Sequence, residues 1–411
     1  MLDKAIETIE EGSITSTPGF EAAGVSCGLK MEDELDLALI HAGQPCSNAA
    51  VFTTNAFKAA PVVYDQRILA ENPGGLRAVV VNSGCANACT GERGMHDAEE
   101  TAAKAAQVLD VTPDEVMVMS TGVIGEFLPM DKILPGVEQA AGELASQVEA
   151  GHAAARAIMT TDTHPKERAA RVTVEEGVFT VGGMVKGSGM IHPNMATLLC
   201  LLTTDAPVTP ELAQAALDEA VERSFHCITV DGDTSTNDTV LVMANGQAQI
   251  PIIAERDSAA YRAFVEGLSA VAVDLAKDVI RDAEGATHFV EITVQGARTP
   301  DEARCAAMSV ATSSLFKAAI YGEDANWGRI ICAIGYSDME IDPDRVSVCL
   351  EDLQLVRDGA PYHIDEERAS ALLGREDVSI TVDLGLGDAQ TTVWTSDLTH
   401  EYVTINAHYR T

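Results

Sequence analysis

The sequence predicts an α+β layered fold, and three observations carry that prediction. Strand-like runs recur along all 411 residues. Several of them pair off as hairpins, and capped helices stand between groups of strands rather than after each one. A doubly wound parallel sheet would need stricter alternation of strand and helix.

The strand-like runs are Leu35–Leu39, Ala78–Val81, Val116–Met119, Phe289–Val294, Val346–Leu350 and Ile380–Leu384. Val172–Val174 and Val178–Val181 flank Glu175-Glu176-Gly177 and predict a hairpin. Thr112-Pro113-Asp114-Glu115 has the form of a capping box with proline at the first helical position and predicts a helix start. Thr209-Pro210-Glu211 opens an Ala-rich helix to about Arg223, and Ser258 opens a longer one to about Asp282. In the latter Tyr261, Phe264, Val265, Leu268, Ala272 and Leu275 fall near a 3.6-residue period. Further helices are expected over 96–109 and 131–158.

Composition bounds the function. A chain of this length buries about 75% of the surface its unfolded form exposes. With 4% aromatics, its core must rest on Ala, Val, Leu and Ile. Against 63 acidic residues stand 27 basic ones, a net charge of −36. Such a surface repels nucleic acid and anionic membrane and suits concentrated salt. It also opposes any anionic substrate, so a local cation must win at short range. Nine cysteines with no C-x-x-C pair point to reduced thiols in a cytoplasmic protein. The first residues show neither a basic nor an apolar leader region, and no run is apolar and long enough to span a membrane.

Chemistry concentrates at the centre, GGMVKGSGMIHPNMATLLCLLTT, residues 182–204. Glycines 182, 183, 187 and 189 permit close backbone approaches, Lys186 is the basic side chain among them, and Pro193 fixes a turn. A small Ala196 precedes Thr197, and an apolar, strand-like run follows. A hydroxyl placed this way can attack the preceding carbonyl, pass through an ester and emerge with a free α-amine. Such an amine, with a reference pKa of about 7.7–8.0, activates its own hydroxyl. Taken alone, the segment reads equally as a Gly-rich turn leading into a core strand.

The stretch KGSGMIHPNMATLL resembles the cleavage motif of the ornithine acetyltransferase (glutamate N-acetyltransferase) family. Similar matches run in order along the chain: Gly19–Val25, Val51–Asn55, Asn82–Gly91, Ser120–Gly125, Asp231–Asp238, Gly322–Arg329 and Tyr402–Thr411. The resemblance implies an α/β/β/α sandwich of the self-cleaving aminopeptidase type, with a smaller α/β C-terminal region. It implies cleavage between Ala196 and Thr197 into an alpha chain 1–196 and a beta chain 197–411, assembled as two alpha and two beta chains. It further implies ping-pong transfer of acetyl from N-acetylornithine to glutamate through a Thr197 ester, in arginine biosynthesis. Acetyl-CoA serves some family members as a second acetyl donor. No other cofactor and no metal are implied.

Residue by residue, the resemblance places Thr121 and Gly122 in the oxyanion hole, and Thr163, Lys186, Thr197, Glu284, Asn406 and Thr411 against substrate. Lys186 supplies the local cation for an α-carboxylate, and Glu284 a partner for the ornithine side-chain amine. Without the family, Ser120-Thr121-Gly122 reads as a plain turn after a strand, Lys186 as a loop lysine, Thr163 as part of a polar loop and Glu284 as a solvated helix-end acid. Asp231–Asn237 lacks the glycine and the glutamate of a calcium loop. His192 need not face Thr197, and Cys200 reads as a core thiol. Two other functions fit the residues: an amidase or aminopeptidase of the same self-cleaving fold, and an uncleaved binding module.

Overall fold

In the computed structural model, which describes residues 5–31, 34–192, 198–362 and 365–408, a strand of 16 residues joins two sheets. The N-terminal half of the chain supplies β1 (Ile6–Thr8), β2 (Phe20–Val25), the long β3 (Leu37–Phe52), α1 (Ala60–Glu71), β4 (Leu76–Cys85), α2 (Gly91–Leu109), β5 (Val116–Val123), α3 (Met130–Gly142), α4 (Val148–Ala157), β6 (Lys166–Val174) and β7 (Gly177–Lys186). Next come β8 (Leu199–Thr204), α5 (Pro210–Glu222), β9 (Ile228–Thr229), β10 (Thr239–Ala244) and α6 (Ala259–Arg281).

The first half of β3 pairs antiparallel with β2 and β4, and β4 runs parallel to β5. Its second half pairs with β10, which continues the order β10-β8-β7-β6-β1. Side chains alternate across a strand, and here the alternation separates two cores. Cys200, Leu202, Val240 and Val242 pack with Leu217 of α5 and Phe264, Leu268 and Leu275 of α6. Leu199, Leu201, Leu241 and Met243 share a core with Leu39, Val80 and Met117 of the other sheet. Helices α1 to α4 pack against that other sheet. The layers are therefore α/β/β/α, as expected.

The smaller α/β C-terminal region holds β11 (Phe289–Ala297), α7 (Pro300–Ala311), α8 (Ser314–Tyr321), α9 (Trp327–Gly335), β12 (Ser347–Leu350), β13 (Leu353–Arg357), β14 (Ala360–Pro361), α10 (Glu366–Leu373), β15 (Asp377–Asp383), β16 (Ala389–Ser396) and α11 (His400–His408). Its sheet runs β14-β13-β12-β15-β11-β16-β9, and α7 packs on β11 and β16. All nine cysteines are free. Among the described residues no helix is long and apolar enough to cross a membrane.

Two sequence expectations are corrected. The helix expected over 131–158 is two helices, α3 and α4, broken where Ala145 exchanges backbone hydrogen bonds of 2.9 and 3.1 Å with Ala22 at the edge of β2. The Thr112–Glu115 box forms, but it caps a single 3-10 turn over Pro113–Glu115. Val116-Met117-Val118-Met119, β-branched and buried, takes the chain straight into β5. The 172–181 hairpin and the helices after Thr209 and Ser258 form as expected, both helices with their hydroxyl caps made.

Candidate active site

The ends of β5, β7 and α6, the loop before β10 and helix α11 meet at one cavity of about 230 Å³. Thr121, Gly122, Lys186, Glu284 and Asn406 all line it, together with Thr160, Thr161, Gly189, Met190, Asp231 and Tyr402. Five of the positions expected from sequence are thus brought together from both halves of the chain. Ala196, Thr197 and Thr411 lie outside the described residues. Thr163 has its N–H at 3.0 Å from Asp282 and donates its hydroxyl to the same carboxylate, while Thr160 and Thr161 reach the cavity wall.

Gly122 sits at φ +129°, and a Cβ there would lie 2.3 Å from the carbonyl carbon of Gly84. Only glycine fits, so the backbone at 122 lies bare on the cavity wall. The strand end is held from several sides. Asn237 donates to the carbonyls of Ala86 and Ser120, both at 2.7 Å, and Ser120 donates to Asn82 at 2.6 Å. Lys186 donates to the Thr121 hydroxyl oxygen at 3.4 Å, which leaves the hydroxyl proton free to point elsewhere. A donor hydroxyl and a bare peptide N–H side by side are the elements of an oxyanion hole.

Lys186 is only 3% exposed. Burial lowers its pKa, and the negative charge of Asp162 acts most strongly against that loss. Burial would raise the Asp162 carboxyl, but Lys166 and then Lys186 overcome it and hold it well below the usual carboxylate range. Across the cavity, Glu284 enters because position 189 is glycine: a Cβ there would meet its carboxylate at 2.5 Å. Asn406 donates to Glu284 at 2.6 Å, bringing α11 over the site.

Asp231 accepts the N–H groups of Met190 and Ile191 at 2.7 and 2.9 Å and the Tyr402 hydroxyl at 3.1 Å. Burial raises its pKa, against the pull of these donors. These bonds brace the turn at Met190 and Ile191 that precedes residues 193–197. On the far side of that segment Leu198 donates its N–H to the fully buried Asp238 at 3.1 Å. His192 is turned to the Thr229 hydroxyl at 3.2 Å. Cys200 is buried, and burial alone pushes its thiol far up.

Sequence reasoning missed the buried cluster of Asp162, Lys166 and Asp282, and it missed Tyr402 and Asp238. The ionic cluster leaves one trace, the i, i+4 spacing of Asp162 and Lys166, which is ordinary on any polar segment.

Residues 21–411 match the ArgJ family. The chain belongs to the ArgJ family. The arginine biosynthesis bifunctional protein ArgJ of Symbiobacterium thermophilum is 51% identical over 402 residues, covering 97% of this chain and 99% of that protein. Its namesake in Geobacter sulfurreducens is 48% identical over 394 residues, 96% and 99% of the two chains. Among solved structures, ornithine acetyltransferase from Mycobacterium tuberculosis, complexed with ornithine, is 41% identical with a TM-score of 0.43, covering 47% of this chain and 100% of that one. The family match takes in the sandwich apart from β1 and the first residue of β2, and the C-terminal region.

Proposed function

We propose that this chain cleaves itself before Thr197 and then transfers acetyl from N-acetylornithine to glutamate as a step of arginine biosynthesis. The observation that carries the reading is the single cavity in which Thr121, Gly122, Lys186, Glu284 and Asn406 converge. The two charged side chains suit the two ends of ornithine: an ammonium at Lys186 for the α-carboxylate, a carboxylate at Glu284 for the side-chain amine. The local cation that the net charge of −36 demands is Lys186.

In processing, the Thr197 hydroxyl attacks the Ala196 carbonyl, the C–N bond breaks as its nitrogen takes a proton, and water hydrolyses the resulting ester. The free α-amine then accepts the hydroxyl proton as the oxygen attacks the acetyl carbonyl. Thr121 and the Gly122 N–H receive the oxyanion, the α-amine returns the proton to the departing ornithine amine, and an acetyl ester remains. The glutamate amine attacks that ester and releases the Thr197 hydroxyl. Losing one such oxyanion donor costs about 3–4 kcal/mol of transition-state stabilisation. We extend the proposal to acetyl-CoA as a second donor to the same ester and to an assembly of two alpha and two beta chains.

Intact-mass analysis and a two-product assay test the reading. Wild type is expected as pieces 1–196 and 197–411, and Thr197→Ala as one full-length inactive chain. Acetate in place of N-acetylglutamate would assign the chain to the amidases, and an uncleaved wild type that still transfers acetyl would refute the mechanism.

A further inference from the structure

Behind the cavity wall lies a set of charges that the reaction, as described, does not use. Lys166 reaches Asp162 at 2.6 Å and also donates to Asp282, and all three side chains are at most 2% exposed. Asp162 further accepts the N–H of Gly187 at 2.8 Å and the N–H of Thr160 at 2.9 Å. The Asp282 carbonyl accepts the Ser188 hydroxyl at 2.6 Å, and the Glu284 N–H donates to the Ser188 carbonyl at 3.0 Å. The cluster therefore ties the residues around Lys186 to those around Glu284. It sets the separation of the two charges that would read the two ends of a substrate.

We propose that Asp162 is a positioning residue for acetyl transfer: it anchors the turn after Lys186 and is the buried counter-ion that keeps Lys186 an ammonium facing the substrate carboxylate. The inference rests on the reading of the cavity given above. The charged groups that act on Lys186 are Asp162, Lys166, Asp238 and Glu284, and Lys30 feels the same charges from its own loop. Lys166 and Lys30 repel it. Burial pushes Asp238 well above the carboxylate range, towards its neutral form. Glu284 is engaged by Asn406 and is claimed by the substrate's own side-chain amine. Asp162 is the acid left to hold the charge, and it can do so because Lys166 and two peptide N–H groups satisfy its remaining lone pairs. A lone buried ammonium would shed its proton instead.

An ammonium whose pKa is lowered loses its charge at lower pH, so removal of Asp162 moves the alkaline limb of kcat/KM towards acid. The acid limb, set by the Thr197 amine, stays in place. The experiment measures acetyl transfer from N-acetylornithine at saturating glutamate, against pH, for wild type, Asp162→Asn and Asp282→Asn. In Asp162→Asn the alkaline limb is expected to move by at least about one pH unit, with a KM for N-acetylornithine roughly tenfold higher near pH 8; acidification brings it back towards wild type. Asp282→Asn breaks the same cluster at a carboxylate that bonds Thr163 and Lys166 rather than the turn after Lys186, so it is expected to lower the melting temperature and leave the limb where it was.

Should Asp162→Asn fail to fold, Asp162→Asn/Lys166→Met/Asp282→Asn removes the whole cluster, two carboxylates and one ammonium, without leaving any of its buried charges unpaired. The net negative charge beside Lys186 is lost, so the limb still moves towards acid. An unmoved limb in the folded variant, or an equal shift in Asp282→Asn, reduces the cluster to a structural brace and overturns the proposal. A wild type that transfers no acetyl overturns the reading of the cavity instead.

Discussion

Gly122 shows how one backbone position can decide a site. Its φ of +129° is closed to side chains, and the neighbouring strand leaves no room for a Cβ. Gly122→Ala is expected to cost about 2–5 kcal/mol of stability from backbone strain and overpacking. It should also lower kcat more than it raises KM, because the peptide N–H it displaces would act on the oxyanion rather than on bound substrate. Thermal melts with steady-state kinetics check both, and an alanine variant of wild-type stability and kcat would count against the assignment. Gly122 was legible in the sequence because it sits inside a motif of several residues. Lys186 was legible for the same reason, whereas Glu284 lies in no quoted motif and was named only by the family resemblance; in isolation each resembles any surface charge. Lys166 and Asp282 were not, because what distinguishes them is burial against each other across 116 residues, and spacing along the chain carries no trace of it. Thr163 shows the converse: the family resemblance supplies the residue, but its partner Asp282 is visible only in three dimensions.

At the scale of elements, the sequence announced starts better than breaks. Ser258 and Thr209 cap the helices expected of them, since a hydroxyl before a helix acts locally. The interruption between α3 and α4 is made by a contact with β2, more than a hundred residues away, and so no local signal marks it. Helix α11 is the element on which function and stability separate most cleanly. None of its described side chains is buried. What holds it over the cavity is mostly polar: Tyr402 on Asp231 at 3.1 Å, Asn406 on Glu284 at 2.6 Å, and the Thr399 hydroxyl on the Gly285 carbonyl at 2.8 Å just before it, with the half-buried Tyr402 ring at the core edge and His400 against Tyr321 as its apolar contacts. Removing residues 400–411 therefore takes little apolar area out of the core and strips the cavity of one wall. The truncated protein is expected to keep its cooperative melt, shifted by only a few degrees, while acetyl transfer falls by roughly a hundredfold or more, the scale of misplacing groups that position a substrate. Full activity in the truncation, or collapse of the melt, would show that α11 is structural rather than a wall of the site.

The whole molecule sets the conditions under which these parts work. Cleavage before Thr197 would divide the chain inside the sandwich, yet β7 and β8, on either side of the cut, pair from Val181↔Thr204 to Lys186↔Leu199, and both cores draw on both pieces. The stacking that produces this weave was beyond the sequence, because alternation along a strand gives two faces without saying what covers each. The charge was readable in full: 63 acids against 27 bases leave 36 negative charges on one body. Net repulsion of that size opposes the compact state. The ion pairs that matter most, those of Lys166, are withdrawn from solvent and hardly feel salt, whereas the acidic surface is exposed to it. Screening shortens the reach of surface charges from about 10 Å at 0.1 M to about 3 Å at 1 M, so added salt should remove more repulsion than attraction. The melting temperature is therefore expected to rise steadily as potassium chloride is raised across that range. The same titration of a variant with several exposed acids changed to their amides should show a flatter rise from a higher starting point. A melting temperature that falls with salt would mean that exposed ion pairs, such as Arg281 with Asp377 and Arg368 with Asp352, outweigh the repulsion of the surplus acids.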